Sequence, residues 1–120
     1  MMKQKSINFF SIFLLLGALT LTGCASREQA VNFKIHSEPE GAYIVYKQDN
    51  SPWIYLGVTP LDIIETISRK QLDDDHTITL RAMRCGYLDQ KKEWRGDEVE
   101  REVGKKGMLF WTPRLIKDTP

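Results

Sequence analysis

The chain is poor in the residues on which cross-linked scaffolds and metal sites depend. Its 120 residues include two cysteines and two histidines. Two cysteines form at most one disulfide, which excludes a disulfide-rich scaffold. His36 and His76 each adjoin a candidate strand, but nothing in the sequence places them together, and a zinc site needs further ligands. We therefore predict no metal site and no cofactor other than the covalent lipid discussed below.

Motifs of the common enzyme classes are also missing. No serine lies in a Gly-x-Ser-x-Gly context, and no glycine-rich phosphate-binding loop occurs. Glu38 and Glu40 flank a proline, but catalysis by two carboxylates needs them to face one cleft with separated pKa values. Side chains in a tight turn usually point into water. We predict no catalytic residue and no enzymatic activity.

Two further motifs have simpler interpretations. The segment LDDDH, residues 72–76, lacks the alternating oxygen ligands, the glycine and the closing glutamate of a calcium loop, which favours a solvated loop. The tripeptide RGD, residues 95–97, matches an adhesion motif, but its flanking residues do not indicate a protruding loop.

Charge of one sign is not in excess. The formal net charge is +1, and no stripe of basic residues occurs. Nucleic-acid-binding domains usually have such a stripe. The sequence therefore predicts no nucleic-acid partner.

Long hydrophobic runs are absent except near the start. Lys3 and Lys5 precede the segment INFFSIFLLLGALTL, which is almost wholly apolar over about 15 residues and ends in small residues. A transmembrane helix needs about 18–20 apolar residues, which makes a spanning helix the weaker interpretation. The pattern predicts a secretory signal peptide over residues 1–23.

The residues at the end of this segment form a more specific motif than a general cleavage site. LTGC, residues 21–24, resembles the lipobox of bacterial lipoproteins. The resemblance implies cleavage between Gly23 and Cys24, a diacylglyceryl thioether on Cys24, and a lipidated tether over residues 24–30. The alternative is an ordinary secreted protein with a chance cysteine. Ala25 and Ser26 follow, and the absence of aspartate there implies outer-membrane sorting if the organism has two membranes.

Cys85 is the other thiol of the chain. If Cys24 is acylated, no intramolecular disulfide can form, and the fold depends on its core alone. A free cysteine is commonly a small buried apolar residue, which we expect for Cys85. An intermolecular disulfide is the alternative.

The remaining chain suits one small domain rich in strands. Val31, Phe33 and Ile35 alternate with polar residues, as in a half-buried strand. EPEG follows as a type I turn, with Pro39 second and Gly41 fourth. AYIVYKQDNSPWIYL predicts a hairpin, and LDIIETI, HTITLRAM and YLDQKKEW predict further strands.

The last part of the chain leaves alternatives open. Residues 96–120 are predicted to complete or flank the strand domain of residues 31–95. RGDEVEREVGKKG could form a short helix with Val99 and Val103 on its apolar edge, or a hairpin. MLFWTPRLI could supply a last strand, interrupted at Pro113. Short strands at this spacing favour an all-β sandwich or barrel.

Two blocks of the strand region resemble the PEGA domain family. The first is Ser-x-Pro-x-Gly-Ala, and the second is Gly-x-Thr-Pro; a later Gly-Tyr pair is also usual. The matching residues are Ser37, Pro39, Glu40, Gly41, Ala42, Gly57, Thr59, Pro60, Gly86 and Tyr87. The resemblance implies a small antiparallel β-sandwich of prealbumin-like type, used as a non-catalytic accessory module in envelope and surface proteins. The loop KQDNSP departs from the family, because it lacks the usual Asp-Gly turn.

Exposed aromatic residues are the candidate binding groups. If Ile54 and Leu56 face the core, Trp53 and Tyr55 face outward. Outward aromatics anchor protein interfaces or stack on sugars. We therefore expect a lipid-anchored envelope protein whose sandwich binds a partner protein or has a structural role near the membrane. A glycan-binding or cell-wall-binding module is the alternative.

Overall fold

The computed structural model describes residues 28–119, so the predictions for residues 1–23 and for Cys24 lie outside the described residues. Within that range the chain is mostly β, with one α-helix and a 3₁₀ turn at Arg69–Leu72. The elements in chain order are β1 Glu28–Ile35, β2 Tyr43–Gln48, β3 Ile54–Val58, β4 Leu61–Ser68, β5 Thr77–Met83, β6 Gln90–Arg95, α1 Gly96–Lys106 and β7 Leu109–Trp111.

The strands form two sheets. One has four antiparallel strands in the order β3-β2-β5-β6, and the other has the order β4-β1-β7. In the smaller sheet β1 and β4 are antiparallel, but β7 runs parallel to β1, with Phe33 opposite Leu109. The all-β prediction is confirmed, whereas the expectation of purely antiparallel pairing is wrong at β7. Helix α1 follows β6 and returns the chain so that β7 enters in the direction of β1.

The core lies between the two sheets and follows the alternation of the sequence. Val31, Phe33 and Ile35 are fully buried on the inner face of β1. Ile78, Leu80 and Ala82 occupy the corresponding positions of β5, also without exposed surface. Burying a large apolar side chain contributes about 1.5–3 kcal/mol, so these two strands hold the sheets together.

Strand β1 begins earlier than predicted. Glu28 pairs with Ser68, and Ala30 pairs with Thr66, so both belong to the sheet. The tether prediction for residues 24–30 is therefore wrong for residues 28–30. The sequence EQA has no apolar alternation that would predict a strand. These residues are extended because they pair with β4.

The EPEG segment is not the type I turn that its sequence predicts. That turn would hydrogen-bond the Gly41 N–H to the Glu38 carbonyl. Instead, the Gly41 N–H donates to the Thr59 carbonyl oxygen at 3.1 Å, and the Glu38 carbonyl accepts from the Leu115 N–H at 2.7 Å. The Glu38–Pro39 peptide bond is cis, and Gly41 has a φ of 95°, which favours glycine.

The end of the chain forms the helix rather than the hairpin. Val99 is fully buried, and Val103 packs against the core. Gly107 ends the helix in the left-handed conformation, and its N–H donates to the Val103 carbonyl at 2.8 Å. Strand β7 follows as predicted, so the C-terminal extension completes the smaller sheet. There Trp111 packs edge-on against the buried Trp94.

Candidate interaction surface

The two blocks of the PEGA-like pattern meet at Thr59. Its hydroxyl oxygen accepts hydrogen bonds from the Gly41 N–H at 3.0 Å and the Ala42 N–H at 2.9 Å. It lies 2.6 Å from the Ser37 hydroxyl, which donates to the Pro39 carbonyl at 2.8 Å. Since the single Ser37 hydrogen is used there, Thr59 donates to Ser37. Both hydroxyls are buried and fully satisfied, which gives these motif residues a structural role.

Glu40 belongs to the same segment and bonds within it, to His36 and to the Ser37 N–H. Loss of hydration raises the pKa of the Glu40 carboxyl, but hydrogen bonds from His36 and the Ser37 N–H outweigh it and lower that pKa overall. Glu38 lies near Arg114 instead, with 3.4 Å between Oε2 and Nε. The two glutamates therefore serve separate partners, and neither is buried.

The other motif residues shape corners of the sandwich. Gly57 has a φ of 147°, and a Cβ there would lie 2.8 Å from a methyl group of Leu61. Pro60 follows a cis peptide bond and leads into β4. Gly86 and Tyr87 turn the chain after β5, where the Gly86 carbonyl accepts from the Asp118 N–H at 3.0 Å.

Cys85 lies in this turn and is exposed. The expectation of a buried cysteine is therefore wrong. Strand β5 ends at Met83, so Cys85 falls in the turn rather than on the inner face that Ile78, Leu80 and Ala82 occupy.

The RGD tripeptide does not protrude. Gly96 is buried at the start of α1, and Arg95 forms an ion pair with Asp97, with 3.2 Å between Nε and Oδ1. The LDDDH carboxylates of Asp73, Asp74 and Asp75 come within 4.8 Å of one another on an exposed loop, close enough to contact one cation. Exposed acidic groups are common without a bound ion, and nothing else at this loop indicates a ligand.

His76 faces carboxylates with both ring nitrogens. Nδ1 lies 2.7 Å from Asp49 Oδ2, and Nε2 lies 3.9 Å from Asp73 Oδ1. The hydrogen bond to Asp49 raises the pKa of the His76 imidazole. Hydrogen bonds from the Thr77 N–H and from His76 lower the pKa of Asp49. This arrangement favours an imidazolium ion pair that joins the loop after β2 to the start of β5.

We predict that Asp49→Asn lowers the pKa of His76 towards the ordinary value of 6.5. Asparagine tolerates the positive φ of 50° at residue 49 and can still accept from the Thr77 N–H, so the loop should keep its shape. An NMR titration of the imidazole measures the shift. Asp74→Asn is the matched control and should leave this pKa nearly unchanged. Equal shifts in the two variants would contradict the assignment.

The stability that the His76–Asp49 pair contributes depends on pH, because the pKa of His76 is raised and the pKa of Asp49 is lowered in the folded protein. His76 contributes stability below its ordinary pKa, and the contribution is lost as the pH rises through its raised folded-state pKa. Asp49 contributes above its ordinary value of 3.8, and this is lost as the pH falls through its lowered folded-state pKa. The pair is therefore fully effective between about pH 4 and 6.5, and exposure to solvent keeps its effect small.

Among residues 28–119, the most exposed aromatic pair lies on the outer side of the four-stranded sheet. Tyr43 is 54% exposed and Tyr55 is 58% exposed, and their ring centroids are 6.3 Å apart. Val58 lies opposite Tyr43 in the sheet and is also exposed. We call Tyr43, Trp53, Tyr55 and Val58 the aromatic face. Tyr55 thus points outward as predicted.

Trp53 is only partly exposed, and basic side chains lie over its ring. Lys47 Nζ lies 4.9 Å from the ring centroid, and the Arg81 guanidinium lies 5.8 Å from it. Arg81 also forms an ion pair with Asp89. These cation–π contacts hold Trp53 against the outer side of the sheet.

Two features of this region differ from what the sequence predicted. Ile54 was expected in the core but is 47% exposed. It lies opposite the buried Tyr46, but β3 is an edge strand, and nothing covers Ile54 from the other side within the described residues. Tyr43 was not recognised as a binding candidate, although the alternation of β2 around the buried Ile44 places it outward.

Comparison with known proteins finds no matching family model, and no match among curated proteins or solved structures. In residues 28–119 no helix is both long and apolar enough to cross a bilayer.

Proposed function

We propose that the protein is a lipid-anchored bacterial envelope protein whose non-catalytic β-sandwich, of the PEGA and prealbumin-like type, binds a partner protein near the membrane. Cys24 carries the lipid, and sorting to the outer membrane follows in an organism with two membranes. Two or more acyl chains anchor firmly, since each buried CH₂ contributes about 0.8 kcal/mol.

The aromatic face is the observation that supports binding. Tyrosine and tryptophan are enriched where protein interfaces bury most of their energy. A small sandwich has little reason to leave Tyr43, Tyr55 and Val58 together on its surface, since exposed apolar patches usually mark interaction sites.

The hydroxyl network around Thr59 supports the PEGA assignment. It gives a physical reason why Ser-x-Pro-x-Gly-Ala and Gly-x-Thr-Pro occur together, since each block supplies groups that the other must satisfy. The network therefore supports a structural role for the pattern.

Binding of a glycan is the second candidate, and the aromatic face suits it less well. Stacking on a sugar ring needs an open aromatic face, and Lys47 and Arg81 lie over the ring of Trp53. The rings of Tyr43 and Tyr55 are tilted by 44° to each other, so they form no flat platform. A protein surface can follow such a shape more easily.

The anchor has its own test. We predict that Cys24→Ala abolishes labelling by radioactive palmitate and leaves an unprocessed precursor, because the thioether cannot form without the thiol. Cys85→Ala is the control and should label and mature normally. Normal processing of the Cys24→Ala protein would contradict lipidation.

The aromatic face is tested by a double variant. We expect Tyr43→Ala with Tyr55→Ala to lose at least about tenfold in partner recovery after chemical crosslinking in membranes, since truncating interface anchors commonly costs 2 kcal/mol or more. Phe110→Ala is the control, because Phe110 is similarly exposed on the other sheet. If the double variant instead loses sedimentation with purified cell wall, the glycan alternative holds. If neither property changes, the aromatic face is not the binding surface.

A further inference from the structure

The strand nearest the proposed anchor is the central strand of its sheet. Strand β1 begins at Glu28, four residues after Cys24, and lies between β4 and β7. It pairs with β4 along its whole length, from Glu28 opposite Ser68 to Ile35 opposite Leu61. Strand β1 therefore cannot be drawn out of the sheet without breaking contacts on both of its sides.

On its other side β1 pairs with β7, and these two strands run in the same direction. The parallel pairing continues beyond them to a bridge between Glu38 and Arg114. We call the paired segments, residues 33–38 and 109–115, the terminal ladder. It joins the first strand of the described chain to the last.

Backbone hydrogen bonds connect the two segments of the terminal ladder. The His36 N–H donates to the Trp111 carbonyl at 3.0 Å, and the Glu38 N–H donates to the Pro113 carbonyl at 3.0 Å. The Leu115 N–H donates to the Glu38 carbonyl at 2.7 Å. The pairing thus extends well past the last residue of β7.

The parallel direction of the terminal ladder decides how it responds to force. A pull towards the proposed anchor acts on β1 at its amino end, whereas a pull on the end of the chain acts on the other segment beyond Leu115. Because the segments are parallel, these opposite pulls lie along the strands, and the hydrogen bonds of the ladder share the force in shear. In an antiparallel pair the two pulled ends would be neighbours, and the bonds would open one at a time.

The core side chains of β1 add to this resistance. Val31, Phe33 and Ile35 are fully buried on its inner face. Since side chains alternate between the two faces of a strand, sliding β1 by one residue would turn all three to the outer face. No neighbouring register therefore relieves the tension, and β1 must stay in place or leave the sheet altogether.

The aromatic face lies at the end of the sandwich opposite to the start of β1. Val58 and Tyr43 lie opposite each other there. Val58 is followed closely by Leu61, which pairs with Ile35 at the end of β1. The eight residues of β1 span about 26 Å. A partner held on the aromatic face would thus pull at one end of the sandwich while the lipid holds the other, a step that rests on the proposed function.

We propose that the sandwich is a tension-bearing module, in which β1, held by β4 and by the terminal ladder, transmits force between the membrane anchor and the partner without unfolding. This deepens the proposed function, because it gives the domain a mechanical role that binding alone does not require. It also explains why the chain places its last strand beside its first.

Single-molecule force spectroscopy tests the proposal on the mature chain, residues 24–120, made without lipid and with the exposed Cys85 replaced by serine. One handle is attached to the thiol of Cys24, where the lipid would be. The other is attached to Thr119→Cys or, in a matched protein, to Lys70→Cys; both positions are exposed.

The two attachments load β1 in different ways. Position 119 pulls the terminal ladder in shear. Position 70 lies just after Ser68, which pairs with Glu28, so force there opens β1 from β4 one pair at a time. We expect the unfolding force from position 119 to be at least about twofold higher than the force from position 70, because the ladder bonds are loaded together.

A proline variant tests the ladder itself. His36→Pro removes the N–H that bonds to Trp111, and it removes no bond to β4, because successive residues of a strand face opposite neighbours. Ile64→Pro is the control. It lies opposite Asn32, which faces the same neighbour as His36, so the Ile64 N–H points to the free edge of β4.

The ratio of the forces from positions 119 and 70 is the readout, since a general loss of stability lowers both forces. We expect His36→Pro to lower this ratio about 1.5-fold or more, because the ladder has only a few hydrogen bonds to share the load. Ile64→Pro should leave the ratio unchanged. Equal forces from the two attachments in the parent would overturn the proposal, and so would equal losses in the two proline variants.

Palmitate labelling of the full-length protein in cells separates failure of this proposal from failure of the proposed function. Absent labelling removes the anchor, and with it both the proposed function and the source of the tension. Normal labelling together with equal forces from positions 119 and 70 removes the tension-bearing role alone.

Discussion

Replacement of Thr59 by valine should lower the free energy of unfolding by about 2–3 kcal/mol. Valine has nearly the shape of threonine but no hydroxyl. The buried Ala42 N–H would lose its bond to that hydroxyl, and Ser37 would lose the hydrogen that Thr59 donates. An unsatisfied buried donor costs about 1–3 kcal/mol by itself.

The variant Thr59→Ser distinguishes the contribution of the hydroxyl to stability from that of the methyl group. Serine keeps every hydrogen bond and loses one buried methyl group, for which we expect about 1 kcal/mol. Urea-induced unfolding followed by tryptophan fluorescence measures both variants, since Trp94 is buried in the core. The valine variant should also melt about 10–20 °C below the parent. Equal stability of the valine and serine variants would show that the network does not hold the two blocks together.

Replacement of Gly96 by alanine should lower the free energy of unfolding by about 3 kcal/mol, at least as much as Thr59→Val. A Cβ at Gly96 would lie 2.6 Å from the Asp73 carbonyl oxygen and 2.7 Å from its nitrogen. Both atoms are backbone, so no side-chain rotation relieves the clash. Relief requires moving the start of α1 away from the loop, which would break the bonds from Gly96 N–H to the His76 carbonyl and from Asp97 N–H to the Asp73 carbonyl.

Gly104 provides the control in the same helix. It is exposed, and a Cβ there would meet no atom within 4 Å. Gly104→Ala should therefore raise the free energy of unfolding by about 0.5–1 kcal/mol, because alanine favours helix over glycine. Urea midpoints of the two variants should move in opposite directions. A Gly96→Ala protein as stable as the parent would contradict the close approach of helix and loop.

Regular alternation in the sequence was sufficient to predict the inner strands. Phe33 and Leu80 lie in runs where every second residue is apolar, and burial of one sheet face requires that period. The same rule predicted the outward direction of Tyr55. It failed at Glu28, since a polar strand start is ordered by its partner β4 and not by its own side chains.

Other features depend on contacts between distant residues, which local patterns do not contain. The EPEG segment reads as a local turn, but its donors bond to Thr59 and its Glu38 carbonyl bonds to Leu115. Ile54 has the apolar character of a core residue, but its place on an edge strand leaves it exposed. The candidate surface was therefore only partly predictable: Trp53 and Tyr55 could be named, whereas the Tyr43 contact and the cations over Trp53 required the fold.

The last residues of the chain are bonded to both corners of the sandwich. The Glu38 N–H donates to the Pro113 carbonyl, and the Leu88 N–H donates to the Ile116 carbonyl. Strand β7 completes the smaller sheet beside β1, the first strand. The sandwich is therefore closed by contacts between residues that lie far apart in the sequence. Proteins rich in such contacts fold slowly, because loop closure must come before the contacts that stabilise it, so we expect this sandwich to fold more slowly than a helical bundle of similar length.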